Sequence, residues 1–185
     1  MSDNLFYKEM RGNFSQSPHD HEEALSWLSE CDYHFIPKIY HFDNNSYCCE
    51  KIKNAVPLKQ YMEETADFDV AIKAIETIST AFLEVSQCID VKNNLRLIPD
   101  DIHDENLIVD ENKNIYIVDL DMFGWWPPSM VFQKMGIALS TVCHSIKYAM
   151  MYHEKQKMIE RINELSNELD LRNKSSYKVY KPTAI

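Results

Sequence analysis

The segments PDDIHDENLIV (Pro99 to Val109) and IYIVDLD (Ile115 to Asp121) decide the fold that this sequence predicts. Within them, Leu107–Val109 and Ile115–Leu120 are short apolar runs, which are typical of strands. The polar residues 110–114 lie between the two runs and are typical of a turn. The pattern therefore predicts an antiparallel hairpin near the middle of the chain.

The hairpin would bring three oxygen-bearing side chains together. Asn106 precedes the first strand and Asp119 ends the second, and in an antiparallel pair those two ends lie side by side. With Asp101 they would form one pocket, and Asp121 would share the strand face of Asp119 because side chains alternate. Carboxylate and amide oxygens suit Mg²⁺, and a carboxylate off the metal could orient a hydroxyl group. The alternative is that these residues only make turns, as Asp and Asn often do.

The loop resembles a known motif. Asp101-Ile102-His103-Asp104-Glu105-Asn106 is similar to the Asp-Leu-His-Pro-x-Asn loop of aminoglycoside phosphotransferases, choline kinases and related protein-kinase-like enzymes. The short segment from Gly124 to Pro128 is similar to the one that follows the metal aspartate in small-molecule kinases. By this resemblance Asp101 would be the catalytic aspartate, Asn106 and Asp119 the metal ligands, and Asp121 a further candidate ligand.

The resemblance implies an α+β fold of the minimal protein-kinase-like, two-lobe type. Residues 1–55 would be a truncated small lobe, with a small antiparallel sheet and one helix. Residues 56–170 would be a mostly helical large lobe that carries the catalytic hairpin, and residues 171–185 a loose tail. The implied cofactors are ATP and Mg²⁺.

The resemblance also implies a phosphate-contacting lysine. Leu5–Met10 is predicted as a strand, and Lys8 would contact the donor phosphates; the alternative is an ordinary exposed strand lysine. Its family partner would be Glu22 or Glu23, in a helix expected over His19–Glu30. Both glutamates could equally be acids that the helix dipole favours in a first turn.

A strand pair, Phe35–Tyr40 with Ser46–Ile52, is predicted next. Its end resembles the kinase hinge, whose main chain meets the adenine edge. By that resemblance Cys49 would be the gatekeeper, and Cys49, Glu50 and Ile52 would contact the nucleotide.

Composition excludes several classes of function. The net charge of −10 and the pI near 5.1 disfavour nucleic acid and anionic membrane surfaces as partners. Three glycines leave no glycine-rich phosphate loop of the Walker, dinucleotide or kinase kind. Five cysteines without zinc-knuckle spacing, and no apolar run of membrane-spanning length, predict a cytoplasmic protein.

Helical periodicity marks three further segments. Phe68–Ile89 and Val131–Tyr152 have apolar residues at three-four spacing and are predicted as core helices. Glu154–Asp170 is predicted as a separate, more charged helix, whose narrow apolar stripe could pack on the domain or on a partner helix.

The loop departs from the family pattern at two positions, and a nearby tryptophan pair has two possible roles. Pro99 stands where the family usually has His or Tyr, and Asp100 places a like charge beside Asp101. Trp125 and Trp126 could form a stiff packed loop or a wall for the acceptor.

Two functions follow from these features. The first is an ATP- and Mg²⁺-dependent phosphotransferase that acts on a hydroxyl of a small molecule or a protein. The alternative is a degenerate kinase-like module that binds a nucleotide or a protein partner without chemistry. A calcium loop starting at Asp101 is excluded, because Asn106 replaces its glycine and Asn112 its glutamate. The pattern leaves the acceptor and the oligomeric state open.

Overall fold

The computed structural model describes residues 4–9, 21–43 and 45–172. Met10 at the end of the predicted first strand and the start of the predicted first helix before residue 21 lie outside these ranges. So do residues 173–185 of the predicted tail.

The first sheet has three antiparallel strands in the order β1-β3-β2. They are β1 (Leu5–Glu9), β2 (Ile39–Phe42) and β3 (Ser46–Glu50), with helix α1 (His21–Cys31) between β1 and β2 along the chain. The predicted strand pair is confirmed, with its first strand shifted toward the turn. Lys8 lies opposite Tyr47 in the β1–β3 register.

The second sheet contains the predicted hairpin. Strand β7 (Leu107–Val109) pairs with β8 (Ile115–Ile117), and β4 (Val56–Pro57) lies on the other side of β7. Leu107 is opposite Ile117, so the two ends are adjacent as predicted. However, β8 ends at Ile117 rather than Leu120, because Asp119 adopts a left-handed backbone conformation and a 3₁₀ turn follows over Leu120–Met122.

The third sheet has the order β5-β6-β9, with β5 (Ile89–Asp90), β6 (Leu95–Pro99) and β9 (Phe123–Trp126). The expectation of a loop at Trp125 and Trp126 is therefore wrong, since both lie in a strand paired with β6.

The other helices are α2 (Leu58–Thr65), α3 (Phe68–Val85) and α4 (Met130–Arg172). Helix α3 ends before the predicted Ile89, because residues 86–88 turn the chain into β5. The two helices predicted over residues 131–152 and 154–170 are one. No proline or glycine separates them, so only the apolar face changes, not the backbone.

One core joins these elements. Buried apolar side chains from α1, α2, α3, α4 and the sheets form a single cluster, which includes Leu25, Tyr47, Phe82, Leu107 and Val142. The predicted α+β class, with small antiparallel sheets and a mainly helical second part, is confirmed. No helix within the described ranges is both long and apolar enough to cross a membrane.

Candidate functional site

Asn106 ties the loop before β7 to the segment after β8. Its side-chain amide donates to the main-chain oxygen of Asp101 at 2.9 Å and lies 3.4 Å from the sulfur of Met122. Its main-chain oxygen accepts from the N–H of Val118 at 2.9 Å. Asn106 is 8% exposed, so these bonds fix a buried polar side chain. The hairpin thus brings the Asp101 loop beside the residue before Asp119.

Two aspartates after β8 converge on one lysine. The Lys8 ammonium forms an ion pair with Asp119 and a second with Asp121 at 2.8 Å. Asp119 has φ of 68°, a conformation that Asp tolerates better than most residues and that directs the chain away from the strand. Strand alternation was expected to place Asp121 on the same face as Asp119. That reason is wrong, because neither residue lies in β8.

Tyr47 on β3 holds this turn in place. Its hydroxyl accepts the N–H of Leu120 at 3.1 Å. Burial raises the pKa of Tyr47, and the bond from Leu120 opposes that rise, so the phenol stays neutral at physiological pH. No signal in the sequence marked Tyr47, because its partner is distant along the chain.

Helix α4 contacts the loop that carries Asp101 at one residue on each side of that aspartate. Lys134 forms an ion pair with Asp100 and places its ammonium 3.9 Å from the ring centroid of Trp126. Ser145 donates to Asp104 at 2.6 Å. The like charge that the sequence placed beside Asp101 is therefore compensated by Lys134. Sequence reasoning missed both α4 residues, since helix periodicity carries no information on which loop a helix contacts.

An apolar cavity of about 210 Å³ lies beside the aspartates. Cys49, Glu50 and Ile52 line it, together with Phe6 from β1 and Asp119. Burial raises the pKa of Cys49 to about 12, so its thiol is a neutral, apolar wall.

The predicted glutamates lie at the start of α1. Among the described residues, Lys8 pairs with Asp119 and Asp121, while Glu22 stays exposed and Glu23 is half-buried at the start of α1. Their assignment as nucleotide-site residues stays a prediction.

The residues present fit a hard cation. Asp119 and Asp121 already share one positive charge, which shows that their oxygens can reach a common cation. Asn106 lies at the adjacent strand end, where its amide oxygen would be a donor of the kind that Mg²⁺ accepts. Within the described ranges, no group of three or more His, Cys, Asp or Glu side chains is placed so that it could hold a metal ion.

Comparisons with known proteins give a distant likeness to solved structures and no match elsewhere. No family model matches the chain, and no curated protein matches it. Among solved structures, the chain is similar to the choline kinase LicA from Streptococcus pneumoniae, with a TM-score of 0.42 and 12% sequence identity. The match covers 82% of this chain and 68% of that one. The similarity is distant and concerns structure alone.

Proposed function

We propose that this protein is an ATP- and Mg²⁺-dependent phosphotransferase of the kinase-like type, acting on a hydroxyl of a small molecule or a protein. The observation that carries the proposal is the Lys8–Asp119–Asp121 cluster, which stands at the edge of an apolar cavity that Asp119 itself lines. Opposite charges beside an apolar slot suit a ligand with a flat base and a charged phosphate chain.

Each residue has one role in this proposal. Asn106, Asp119 and Asp121 hold Mg²⁺, which when bound neutralises charge on the phosphate oxygens. The ammonium of Lys8 contributes a fixed positive charge for the donor phosphates. Asp101 is exposed on the loop that Asn106 anchors, and its carboxylate accepts the proton of the acceptor hydroxyl.

The cavity would hold the base of the nucleotide. Cys49 and Phe6 supply apolar surface, and Glu50, Lys51 and Ile52 line one side of the cavity. The N–H groups of Glu50 and Lys51 already donate to the main-chain oxygens of Lys38 and Asn4. We further propose that residues 1–55 and 56–170 act as small and large lobes around this cavity, and that the protein is cytoplasmic.

One observation favours the alternative, a module that binds a nucleotide or a protein without chemistry. Lys8 already compensates both aspartates, and an internal ammonium of this kind can replace a metal permanently. In that case the apolar cavity would bind its ligand without Mg²⁺.

Turnover of labelled ATP in the presence of Mg²⁺ distinguishes the phosphotransferase from the binding module. We expect ATP hydrolysis or label transfer that Asp101→Asn lowers by about 10² or more, as loss of a general base does. Glu105→Gln, in the same loop and exposed, is the matched control and should keep most of the activity. Turnover that persists unchanged in Asp101→Asn rejects the role of Asp101, and binding of ATP without any turnover supports the alternative.

A further inference from the structure

Helix α4 has two faces with different roles. One face is buried against α2 and α3 through residues such as Val131, Ala138, Val142 and Ala149. On the opposite side, exposed residues recur at alternating steps of four and three. These residues, here named the seam, are Ile137, Thr141, His144, Tyr148, Met151, Lys155, Met158 and Ile162.

The seam has the spacing of a coiled-coil interface. A run at steps of three and four over three heptads is the pattern by which two helices interlock side chains. Met151, Met158 and Ile162 are each more than half exposed. The sequence continues the same spacing with leucines at positions 165 and 169, within the same helix.

We propose that the seam binds the seam of a second copy of this chain, with the two α4 helices antiparallel. Orientation follows from the polar members of the seam. A parallel pair in register would set Lys155 against Lys155 of the partner subunit and His144 against His144 of the partner subunit. Two ammonium groups in one buried layer repel each other and lose hydration. An antiparallel pair avoids both layers.

Charges beside the seam select one antiparallel register. In this register Met151 faces Ile162 of the partner subunit, and Lys155 faces Met158 of the partner subunit. The flanking Glu154 then meets Arg161 of the partner subunit, twice by symmetry.

Registers one heptad away fail on charge. A shift in one direction sets Arg161 against Arg161 of the partner subunit. A shift in the other direction sets Glu154 against its own copy and Lys147 against Arg161 of the partner subunit. Like charges directly opposite each other are unfavourable, so the residues that flank the seam destabilise these registers. The buried face of α4 lies on the far side from the seam, so each body stands clear of the partner helix.

Charge reversal at the two flanking residues tests the proposal. We expect the full chain to have about twice its 21.8 kDa mass by sedimentation equilibrium. Glu154→Arg or Arg161→Glu alone should weaken the dimer by about tenfold or more, because each sets two like-charged pairs in contact. The double variant E154R/R161E re-forms both pairs with reversed sign and should restore the dimer.

The matched control is Glu160→Arg, the same charge reversal on the face of α4 that is turned away from the seam. It should leave the dissociation constant of the dimer unchanged. Circular dichroism reports whether each variant keeps its helix, and if one single variant unfolds, the other carries the comparison with the control. A chain that is monomeric throughout a dilution series overturns the proposal. So does a double variant that associates no better than the single ones.

Discussion

Lys8 compensates two aspartates that would otherwise repel each other. Asp119 and Asp121 are both partly buried, with side chains 33% and 10% exposed. Two partly buried carboxylates that lie close together are stabilised by a nearby cation. The pairing of β1 with β3 places Lys8 there.

Replacement of Lys8 by Met should lower the free energy of unfolding by about 1–3 kcal/mol, because a partly buried charge pair loses its cation. Mg²⁺ should then raise the melting temperature of Lys8→Met more than that of the wild type, since both carboxylates are free to bind it. The control is Lys113→Met, which removes an exposed ion pair with Asp67 remote from the cavity. An equal effect of Mg²⁺ on the two variants would show that Asp119 and Asp121 do not bind the ion.

At the scale of single residues, sequence reasoning found the acidic members of the site but not their partners. Asp and Asn at the two ends of a hairpin are brought together by strand pairing, which is local. Lys134, Ser145 and Tyr47 act across more than thirty residues of chain, so no local pattern predicts them.

Among the elements, α4 fixes the loop that carries Asp101. Its bonds from Lys134 to Asp100 and from Ser145 to Asp104 flank that aspartate on both sides. A loop held at two points from one rigid helix has little freedom to swing, which is what a positioned general base requires.

Lys134→Met should therefore loosen the loop without unfolding the protein. We expect hydrogen exchange of the amides at 100–106 to quicken by about tenfold, because one of two anchors is lost. Lys157→Met, an exposed lysine on the same helix, serves as the control. If the loop amides exchange at the same rate in both variants, α4 does not restrain the loop through Lys134.

The start of α3 depends on a different aspartate. Asp67 accepts the N–H groups of Asp69 and Val70 as an N-cap and binds Lys113 at 2.7 Å. The hydrogen bond from Lys113 and the two backbone bonds hold the pKa of Asp67 below its ordinary value of 3.8. A lowered pKa in the folded state stabilises the protein above the ordinary value, and that contribution is lost as the pH falls through the lowered one.

Asp67→Ala should accordingly destabilise the fold by about 1 kcal/mol at neutral pH, the usual effect of a lost cap. The difference from wild type should shrink as the pH falls below about 4, where the wild-type carboxylate becomes protonated. Urea unfolding across this pH range measures it, with Asp69→Ala in the same turn as the control. A difference that stays constant down to the lowest pH would contradict the charged cap.

The elements themselves were predictable where periodicity is local. The hairpin, the strand pair and α3 follow from alternation and from three-four spacing. The continuity of α4 could not be predicted in this way. Its apolar residues shift from the buried face to the exposed seam near residue 153, and such a shift looks in the sequence like the end of one helix and the start of another. The end of β8 was also missed, since the left-handed conformation of Asp119 arises from contacts with Lys8 and the adjacent turn.

At the scale of the molecule, the described part of the chain has three small sheets and four helices that enclose an apolar core, with a charged cluster beside an apolar cavity. The α+β class could be predicted from the order of strand and helix patterns. The cavity could not, because its walls come from β1, β3 and the segment after β8, and only the tertiary fold brings them together. The proposed nucleotide site is thus a property of the assembled molecule rather than of any motif.

Calorimetric titration of the protein with ATP, in the presence and absence of Mg²⁺, tests this account most directly. Wild type should bind, and Mg²⁺ should strengthen the binding. Asp119→Asn keeps a residue that tolerates the left-handed conformation but removes the charge, and it should lose the effect of Mg²⁺. No binding by wild type, or the same response to Mg²⁺ in Asp119→Asn, would contradict a metal-nucleotide site at this position.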